Sequence, residues 1–558
     1  MSHELCEIGV FGLTSLGQSF AAHHASNKIR VCIGDDIASF VPQVIKEYKA
    51  QTEANEGNSE PQSILASRCM ISSPNIEEMV PRLQPPRKII IFGSNRQDVK
   101  FEQMYWNKLC PLLEEGDMVL RWGKEEDGAK KSMNDETIKD AMQLPNESIV
   151  SKLTKMQARS KGIHLLEMVR LEQDRTVAYN GETPVSYLVG GGSSDAYALI
   201  KPYLTSSSSS TSPFAIVGHA GNDAGCVHYA TMIQRAIENG ITQAFAEGSH
   251  ILTNAVGYEH QDIGRTFGRW NDAGGKLSSY LLKISSRIYY KRDAITKNGF
   301  VIDHIIDSMD WNGVDTWVTL EATRLGIPTP TVNAALEARF LGTMKDERVE
   351  ASTILKVPEG NDTPSVLKDQ ITEDLQSAIY CTCLCIVAEC LAVFQAAAEM
   401  ESWGVNLADC IQLWNQPGSF LESTLLKHVH AALVDDQEEM RNLLTHPDIA
   451  SQLQDLHMSW RRIVTVSYAS AIPIPTLSSS LTFYDSYRSR RLPISLIRAQ
   501  RDYFDASGYD RNGEKGWFST CWVKDHTLEH KKREAAALQG GESGKKPKKR
   551  KTPVKSER

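Results

Sequence analysis

The N-terminus places a short apolar run, a glycine-containing turn, a helical stretch and a second apolar run in immediate succession. Glu7–Phe11 is the first apolar run, and Gly12–Gly17, with the sequence GLTSLG, follows it directly. A helical stretch begins near Gln18, and Ile29–Ile33 is the second apolar run. This order predicts strand, turn, helix and parallel strand, which is the unit that opens a Rossmann-like α/β domain.

The turn after the first apolar run predicts a dinucleotide site, because glycines there let the backbone approach a pyrophosphate at the helix N-terminus. The candidate cofactor-binding residues are those of the turn and the two acids that end the second apolar run: Gly12, Leu13, Thr14, Leu16, Gly17, Asp35 and Asp36. Thr14 occupies the place of the middle glycine, so the turn taken alone is a weak signal.

The two acids Asp35 and Asp36 bear on which dinucleotide would bind. A carboxylate accepts hydrogen bonds from a ribose 2′-hydroxyl but repels a 2′-phosphate. The sequence therefore predicts NADP or NAD as cofactor, with NAD at least as well favoured as NADP. The alternative interpretation is a solvated turn that binds no cofactor.

Farther along the chain, strand signals give way to helical ones. Lys88–Phe92 is a buried-strand run, Met118–Leu120 and Ile163–Leu166 are weaker, and strand signals stop beyond about Gly218. Long helical periodicities follow, the clearest at Val227–Leu252, Leu277–Tyr290, Val314–Leu325, Asp374–Met400 and Leu453–Ala471. The predicted fold is an α/β Rossmann-like N-terminal domain, with a parallel sheet covered on both faces, followed by a large all-α domain.

Length and composition set broader bounds. A chain of 558 residues is too long for one hydrophobic core, so two or more domains are expected. The net charge of -8 argues against nucleic-acid binding by the folded body. The 11 cysteines include no CxxC pair, which indicates free thiols in a reducing compartment. We see no run of about 18 apolar residues and expect no membrane-spanning segment.

One cysteine cluster admits two interpretations. Cys381, Cys383, Cys385 and Cys390 lie together in IYCTCLCIVAECLAVF. They are either metal ligands or small apolar residues of a buried helix, since cysteine is among the most buried residue types. No histidine or second cysteine pair is placed to complete a tetrahedral site, so we favour the buried helix and expect no metal.

The stretch from Leu481 to Tyr509, LTFYDSYRSRRLPISLIRAQRDYFDASGY, resembles the signature of 6-phosphogluconate dehydrogenase, in which SFYDGYR, LP and LIQAQRDYFGAHTY follow one another. The resemblance extends from about Glu7 to Trp522. It implies oxidation of 6-phosphogluconate with a nicotinamide dinucleotide, then decarboxylation to ribulose 5-phosphate and CO2, without a metal. It also implies a homodimer whose C-terminal segment reaches the partner subunit's active site. The predicted segments are a dinucleotide-binding domain at 1–217, an all-helical domain at 218–489 and a tail at 490–528 that reaches the partner. The basic end at 529–558 is expected to be disordered, because its last part has almost no apolar residues.

The resemblance also assigns roles within Asp223–Gly240, which is similar to the family stretch DGAGHFVKMVHNGIEYG. Glu238 stands at the position of the catalytic acid. Thr231 stands where the catalytic lysine belongs, and Gln234 replaces a family histidine. A threonine hydroxyl does not exchange protons near neutral pH, so the general-base role has no occupant. His228 matches a family histidine and is expected to be structural.

Other functional positions of the family fall into two groups, those replaced in this chain and those retained. Substrate-contacting segments of the family are replaced here by Arg121–Glu125, Leu171–Gln173, Asn312–Val314 and Ser507. Arg339 and Arg501 match phosphate-binding arginines and are the candidate substrate-binding residues, since a guanidinium fork suits a phosphate. The alternative for both is a structural ion pair.

These observations lead to three hypotheses about function. The first is an active decarboxylating 6-phosphogluconate dehydrogenase with a rearranged site. The second, which the missing lysine favours, is a catalytically impaired relative that still binds a dinucleotide or a sugar phosphate. The third is an interaction protein without a ligand. Fold alone does not decide among them.

The last residues form a separate feature. Lys545–Lys551 is a basic run, KKPKKRK, without apolar residues around it. Such a run is typical of nuclear localisation or polyanion binding, with a solvated tail as the alternative. The family resemblance implies a cytoplasmic protein. The expected partners are a second copy of the chain, or an active paralogue, and a small sugar phosphate.

Overall fold

The computed structural model describes residues 5–35, 41–46, 69–92, 105–122, 152–170, 186–204, 216–223, 225–272, 274–309, 314–356, 365–417, 419–435, 442–523 and 528–530. Contacts divide the chain into two compact units, Met1–Leu481 and Thr482–Arg558. The predicted boundary between residues 217 and 218 falls inside a strand of the first unit, and the four-segment division remains a prediction.

Eight strands of the first unit form one sheet in the order β3-β2-β1-β4-β5-β6-β7-β8. The strands are β1 (Ile8–Phe11), β2 (Val31–Gly34), β3 (Met70–Ser72), β4 (Lys88–Ile91), β5 (Met118–Trp122), β6 (His164–Arg170), β7 (Ser186–Gly191) and β8 (Ile216–Gly221). All neighbouring pairs are parallel except β6 with β7. Strand order reverses between β1 and β4, which places a crevice at their carboxyl ends.

The helices fall into two groups. Those that accompany the sheet are α1 (Ser15–Ser26), α2 (Ile76–Met79), α3 (Asn107–Leu109), α4 (Lys152–Ser160) and α5 (Ser194–Leu204). Those that follow it are α6 (Gly225–Asn254), α7 (His260–Trp270), α8 (Tyr280–Tyr290), α9 (Trp317–Leu325), α10 (Pro330–Thr343), α11 (Lys345–Ile354), α12 (Ser365–Glu401), α13 (Leu407–Trp414), α14 (Thr424–Asp435), α15 (Pro447–Ala469), α16 (Pro475–Arg488) and α17 (Ile494–Asp505). A short hairpin, β9 (Phe518–Thr520) and β10 (Leu528–His530), lies in the second unit. The predicted fold class is confirmed.

The sheet separates two apolar clusters, which explains why its strands read as continuous apolar runs. Ile90 and Leu120 belong to one cluster. Their chain neighbours Ile89 and Val119 belong to the other. Because successive side chains of a strand point to opposite faces, a sheet covered on both sides needs apolar residues at every position.

One sequence expectation needs correction. The sheet is mixed rather than purely parallel, because the chain returns from β6 to β7 in the antiparallel direction. The apolar part of α12, within Lys368–Glu401, also reaches a mean hydropathy of 2.0 over 18 residues, so by length and composition it resembles a membrane span. Of that window 89% is buried inside the protein, which is the environment of a core helix.

Helix α12 packs closely against α6, and this contact supports the helix that carries the candidate catalytic residues. A Cβ on Gly240 would lie 2.8 Å from Ile386, and one on Gly248 would lie 2.6 Å from Ile379. The two glycines therefore let the helix backbones approach more closely than larger residues would. The four cysteines Cys381, Cys383, Cys385 and Cys390 lie in α12 and are between 0% and 2% exposed.

Candidate active site

The turn after β1 is shaped by a glycine with no room for a side chain. Gly12 has a φ of +85°, and a Cβ there would lie 1.9 Å from the carbonyl oxygen of Phe92. Phe92 follows β4, and its own amide donates a hydrogen bond to the carbonyl oxygen of Phe11 at 2.9 Å. The chain after β1 is thus held against the chain after β4, at the crevice where strand order reverses.

Thr14 caps the helix that follows the turn. Its Oγ1 accepts a hydrogen bond from the amide of Gly17 at 3.2 Å, and α1 begins at the next residue, Ser15. The helix thus starts three residues before the predicted position near Gln18. A Cβ on Gly17 would lie 2.4 Å from the carbonyl oxygen of Gly12, so the helix packs directly on the turn. At both glycines, backbone therefore packs against backbone without room for a Cβ.

The carboxylate of Asp35 is drawn into the same turn. Its Oδ2 accepts a hydrogen bond from the amide of Leu13 at 2.5 Å. The structure thus brings together Gly12, Leu13, Thr14, Gly17 and Asp35 of the predicted cofactor site. Asp36 lies outside the described residues, and Leu16 is described only as part of helix α1.

On α6, three residues at helical spacing form one side of the candidate substrate site. The hydroxyl of Thr231 donates to the carbonyl oxygen of Val227 at 2.9 Å, one turn earlier in the same helix. Gln234 is 2% exposed, and its Nε2 donates to Oε1 of Glu238 at 2.9 Å. The predicted acid thus contacts a neutral amide, and the residue at the lysine position bonds its own backbone.

An ion pair beside α6 joins Asp315, just before α9, to Arg339 of α10. Nη1 of Arg339 lies 3.2 Å from Oδ2 of Asp315, with side-chain exposures of 19% and 20%. The other carboxylate oxygen of Asp315 accepts a hydrogen bond from Nδ2 of Asn239 at 2.8 Å. Arg339 therefore lies close to α6, the helix that carries Glu238, and its guanidinium contacts the carboxylate of Asp315 in the same chain.

A buried acid on β6 contacts the first turn of α6. Oε1 of Glu167 lies 3.0 Å from Nε2 of His228, and the Glu167 side chain is fully buried. Burial favours the neutral acid, but the charges of His228, Arg121 and Lys155 outweigh it and lower the pKa of Glu167. His228 thus faces a buried carboxylate at the junction of the sheet and α6, and the two side chains form an ion pair when the imidazole is protonated.

Sequence reasoning missed Glu167. A signal was present, since His164–Arg170, HLLEMVR, places an acid inside an apolar strand run, where an unpaired charge would be costly. The partner could not be inferred, because His228 is distant in sequence and reaches Glu167 only when α6 packs on the sheet.

A second set of charged side chains, centred on Asp223, lies at the start of α6. Asp223 accepts a hydrogen bond from the amide of Gly225 at 2.8 Å, and its carboxylate also binds Lys155 of α4 at 2.7 Å and Arg159 at 3.2 Å. Asp223 is therefore both the cap of α6 and the link between α6 and α4. Along with Glu167 and His228, it fixes the position of α6 against the sheet.

Arg501 belongs to the second unit, on α17, and is exposed. Its neighbour Asp502 is 2% exposed and accepts hydrogen bonds from the amides of Gly508 and Thr520 at 2.9 and 2.8 Å and from Nε1 of Trp522 at 2.9 Å. Asp502 thus holds the chain after α17 together and leaves Arg501 facing solvent within its unit.

The other departures from the resemblance are only partly described. Arg121 and Trp122 end β5, and Ser507 is exposed after α17. Residues 123–125, 171–173, 312 and 313 lie outside the described residues, as does the basic run Lys545–Lys551. Within the described ranges, no three His, Cys, Asp or Glu side chains come together as a metal site would require.

Comparison with known proteins agrees with this architecture. A family model described as "6-phosphogluconate dehydrogenase, C-terminal domain" matches residues 227–522, more than half of the chain. The chain belongs to the 6-phosphogluconate dehydrogenase family. The match begins within α6 and includes Glu238, Arg339 and Arg501.

Curated relatives extend the similarity over nearly the whole chain. The NADP(+)-dependent, decarboxylating 6-phosphogluconate dehydrogenase of Bacillus subtilis is 28% identical over 520 residues, which cover 93% of this chain and 99% of the relative. The decarboxylating enzyme of Synechocystis is 29% identical over 521 residues, covering 92% of this chain and 97% of the relative.

A solved structure shows the same fold. The 6-phosphogluconate dehydrogenase of Plasmodium falciparum, described in apo form, with its cofactor NADP+ and with its substrate 6-phosphogluconate, superimposes with a TM-score of 0.69. It is 25% identical to this chain, and the match covers 93% of this chain and 100% of the other.

Proposed function

We propose that this chain is a catalytically impaired 6-phosphogluconate dehydrogenase family member that retains binding of a dinucleotide or a sugar phosphate. The observation that carries the proposal is Thr231 at the lysine position, with its hydroxyl donated to the carbonyl oxygen of Val227. That hydroxyl neither accepts nor releases a proton near neutral pH. A positioned acid–base group contributes roughly 10²–10⁴-fold to rate, so its loss alone accounts for severe impairment.

The retained acid supports impairment rather than activity. In the family's reaction an acid protonates the enediol, and Glu238 stands at that position. Its carboxylate here accepts a hydrogen bond from the Gln234 amide, which cannot relay a proton. Glu238 therefore remains able to hold a substrate hydroxyl, while the proton pathway around it has lost its titrating neighbour.

The turn after β1 supports dinucleotide binding. Gly12 and Gly17 carry no side chains of their own, and the turn that they shape leads into the start of α1, where a pyrophosphate would be held. When bound, the nicotinamide dinucleotide would accept hydride from the substrate. Asp35, at the carboxyl end of β2, suits a ribose 2′-hydroxyl, whereas the relative from Bacillus subtilis is named for NADP+. We expect NAD to bind at least as tightly as NADP.

Two arginines support a sugar phosphate as ligand. Arg339 lies beside α6, and Arg501 is exposed on its own unit. Each guanidinium presents several donors in a plane, the geometry that recognises phosphate oxygens. These roles are proposed from the family match together with the positions of the two side chains.

An active enzyme is the second candidate, and one observation favours it. The Glu167–His228 pair places an imidazole, oriented by a buried carboxylate, three residues before Thr231 on α6. A histidine held in this way is a common general base. In this alternative His228 would perform the proton transfers that the family assigns to lysine.

Steady-state kinetics separates the two candidates. Reduction of NAD or NADP with 6-phosphogluconate is measured for this chain and for the Bacillus subtilis enzyme under the same conditions. We expect a kcat at least about 100-fold lower for this chain, as expected for one missing acid–base group. A kcat within tenfold of that of the relative would disprove impairment. If His228→Gln then lost this activity, the proton transfers would be assigned to His228.

Ligand binding is tested separately by thermal unfolding with NAD, NADP or 6-phosphogluconate at millimolar concentration. A ligand that binds only the folded state raises the midpoint temperature. We expect a rise with at least one dinucleotide. No rise with any of the three compounds would leave the chain an interaction protein without a ligand.

The remaining proposals concern assembly and location. We propose a homodimer, with an active paralogue as the alternative partner, and a cytoplasmic protein. The basic run Lys545–Lys551 supports nuclear entry as a second location. A fluorescent fusion with and without residues 540–558 tests this, since only the longer form is then found in the nucleus.

A further inference from the structure

The guanidinium of Arg339 is paired within its own chain. Nη1 lies 3.2 Å from Oδ2 of Asp315, just before α9, and the other oxygen of Asp315 is held by Nδ2 of Asn239 at 2.8 Å. Asp315 therefore does not approach Arg339 from a free surface loop. It is fixed from two sides, by an amide on α6 and by a guanidinium on α10.

Burial makes this pair more than a surface contact. The side chains of Asp315 and Arg339 are 20% and 19% exposed, whereas the pair between Asp307 and Arg348 has exposures of 61% and 36%. Partly buried charges are screened less by salt and water than exposed ones. The carboxylate consequently exerts a strong local field on any group that approaches the same guanidinium.

We propose that Asp315 is a specificity-determining residue that competes with phosphate for the guanidinium of Arg339 and weakens phosphate binding there. A carboxylate and a phosphate compete for the same N–H groups of a guanidinium. A phosphate placed on Arg339 would either displace Asp315 or lie beside its negative charge.

This inference rests on the proposed function, in which Arg339 faces the sugar-phosphate ligand. It adds that the phosphate meets a guanidinium already paired with a carboxylate, so the phosphate group binds weakly at this end of the site. The sugar hydroxyls carry no charge and are not repelled by Asp315. Full phosphate affinity through Arg339 is expected only after the carboxylate of Asp315 is neutralised.

The test is an isothermal titration of the full chain with 6-phosphogluconate and, separately, with inorganic phosphate. Asp315→Asn keeps the shape of the side chain and an acceptor for Asn239, but removes the charge. We expect this variant to bind both compounds at least tenfold more tightly than the wild type. The double variant with Arg339→Gln is expected to lose the gain. Equal or weaker binding by Asp315→Asn would overturn the proposal.

One further variant tests whether the gain is a general effect of charge. Asp307→Asn removes an equal charge from the exposed pair with Arg348 and is expected to change phosphate affinity by less than twofold. An equal gain in Asp307→Asn would mean a general charge effect and would also overturn the proposal.

The outcomes also separate this inference from the proposed function. If the wild type binds a dinucleotide and 6-phosphogluconate but Asp315→Asn gains nothing, the proposed function stands and the inference fails. If the wild type binds neither compound while Asp315→Asn binds phosphate, the role of Asp315 stands and ligand binding by the natural chain is disproved.

Discussion

At the scale of single residues, the conformation of the turn after β1 depends on one steric contact. Gly12 combines a left-handed backbone with a carbonyl oxygen, that of Phe92, where a Cβ would lie. Gly274 has nearly the same backbone, with a φ of +88°, but nothing lies within 4 Å of its Cβ position. A substitution at Gly274 therefore measures the free-energy cost of a side chain at positive φ. The same substitution at Gly12 adds the cost of a clash with the Phe92 carbonyl oxygen.

We predict that Gly12→Ala lowers the free energy of unfolding by about 3 kcal/mol or more, since it adds a backbone clash to an unfavourable φ. Gly274→Ala should cost only about 1 kcal/mol, the cost of the conformation alone. Urea unfolding of both variants gives the comparison. Equal losses of unfolding free energy in Gly12→Ala and Gly274→Ala would show that the chain after β4 moves away easily and does not constrain the turn.

A second residue-scale prediction concerns His24, on α1. Its ring is fully buried and lies edge-on to Phe20 with centroids 4.3 Å apart. Burial favours the neutral ring and lowers its pKa to about 4. The unfolded chain takes up a proton near pH 6.5 and the folded chain only near pH 4. The free energy of unfolding therefore falls as pH drops through that window, by up to about 3 kcal/mol.

The measurement is the free energy of unfolding at pH 7 and pH 4.5 for the wild type, His24→Leu and His23→Leu. We expect His24→Leu to lose much less stability on acidification than the wild type. His23, its partly exposed neighbour, serves as the control, and its replacement should leave most of the pH dependence in place. An unchanged pH dependence in His24→Leu would assign the effect to other groups.

At the scale of elements, two buried glutamates hold the starts of other helices. Glu389 of α12 is fully buried and accepts hydrogen bonds from the amides of Thr331 at 3.0 Å and Val332 at 3.1 Å, where α10 begins. Burial raises its pKa to about 7, although these bonds act in the opposite direction. Glu247 of α6 caps the start of α16 in the same way.

We predict that Glu389→Ala lowers the free energy of unfolding by about 3 kcal/mol, because two helix amides would be left buried without acceptors. The control is Asn75→Ala, which removes the exposed cap of α2 and should cost about 1 kcal/mol or less. Chemical unfolding at pH 8, above the pKa of Glu389, measures both. A loss for Glu389→Ala no larger than that for Asn75→Ala would mean that water replaces the carboxylate.

Much of the element order was predictable, and the limits of prediction have identifiable causes. The predicted helix Leu453–Ala471 corresponds to α15 (Pro447–Ala469), since a long apolar periodicity locates a helix well. Its start was missed because Pro447 and the short turn before it carry no periodic signal. The antiparallel return to β7 was missed for a different reason, since strand direction depends on which strands pair and not on the residues of one strand.

The candidate site was predictable to a similar degree. The turn residues and Asp35 were predicted to lie close together because their signal is local, within a strand, a turn and a helix, and they do so in the structure. Their role in binding a cofactor remains a prediction. Glu167 and Asp315 were not found, because each matters only through a partner distant in sequence. Asp315 lay within the predicted helical stretch Val314–Leu325, and nothing in the sequence indicated that it would contact Arg339.

At the scale of the whole molecule, the second unit exposes apolar side chains on α17. Leu496, Ile497, Tyr503 and Phe504 are 63%, 52%, 60% and 91% exposed within the described structure. A run of large exposed apolar side chains on one helix is typical of a surface that another protein covers. This supports the proposed homodimer, in which a second copy of the chain would cover α17.

We predict that Phe504→Asp weakens self-association at least about 100-fold, since burying an unpaired charge in an apolar interface is costly. Ile295 is equally exposed, at 91%, but lies in the other unit, so Ile295→Asp is the matched control. Sedimentation velocity over a range of concentrations measures the dissociation constants. A wild-type chain that remains monomeric at micromolar concentration would contradict the proposal directly.

The sequence by itself determined the order of elements, the glycine turn after β1 and the family, because these depend on residues close together in the chain or on long, specific motifs. Only the tertiary structure decided which charges meet. Glu167 pairs with His228, Asp315 with Arg339 and Glu389 with the start of α10. The physical reason is that the energy of a charge depends on its burial and on its partners, and both arise only when distant segments pack together.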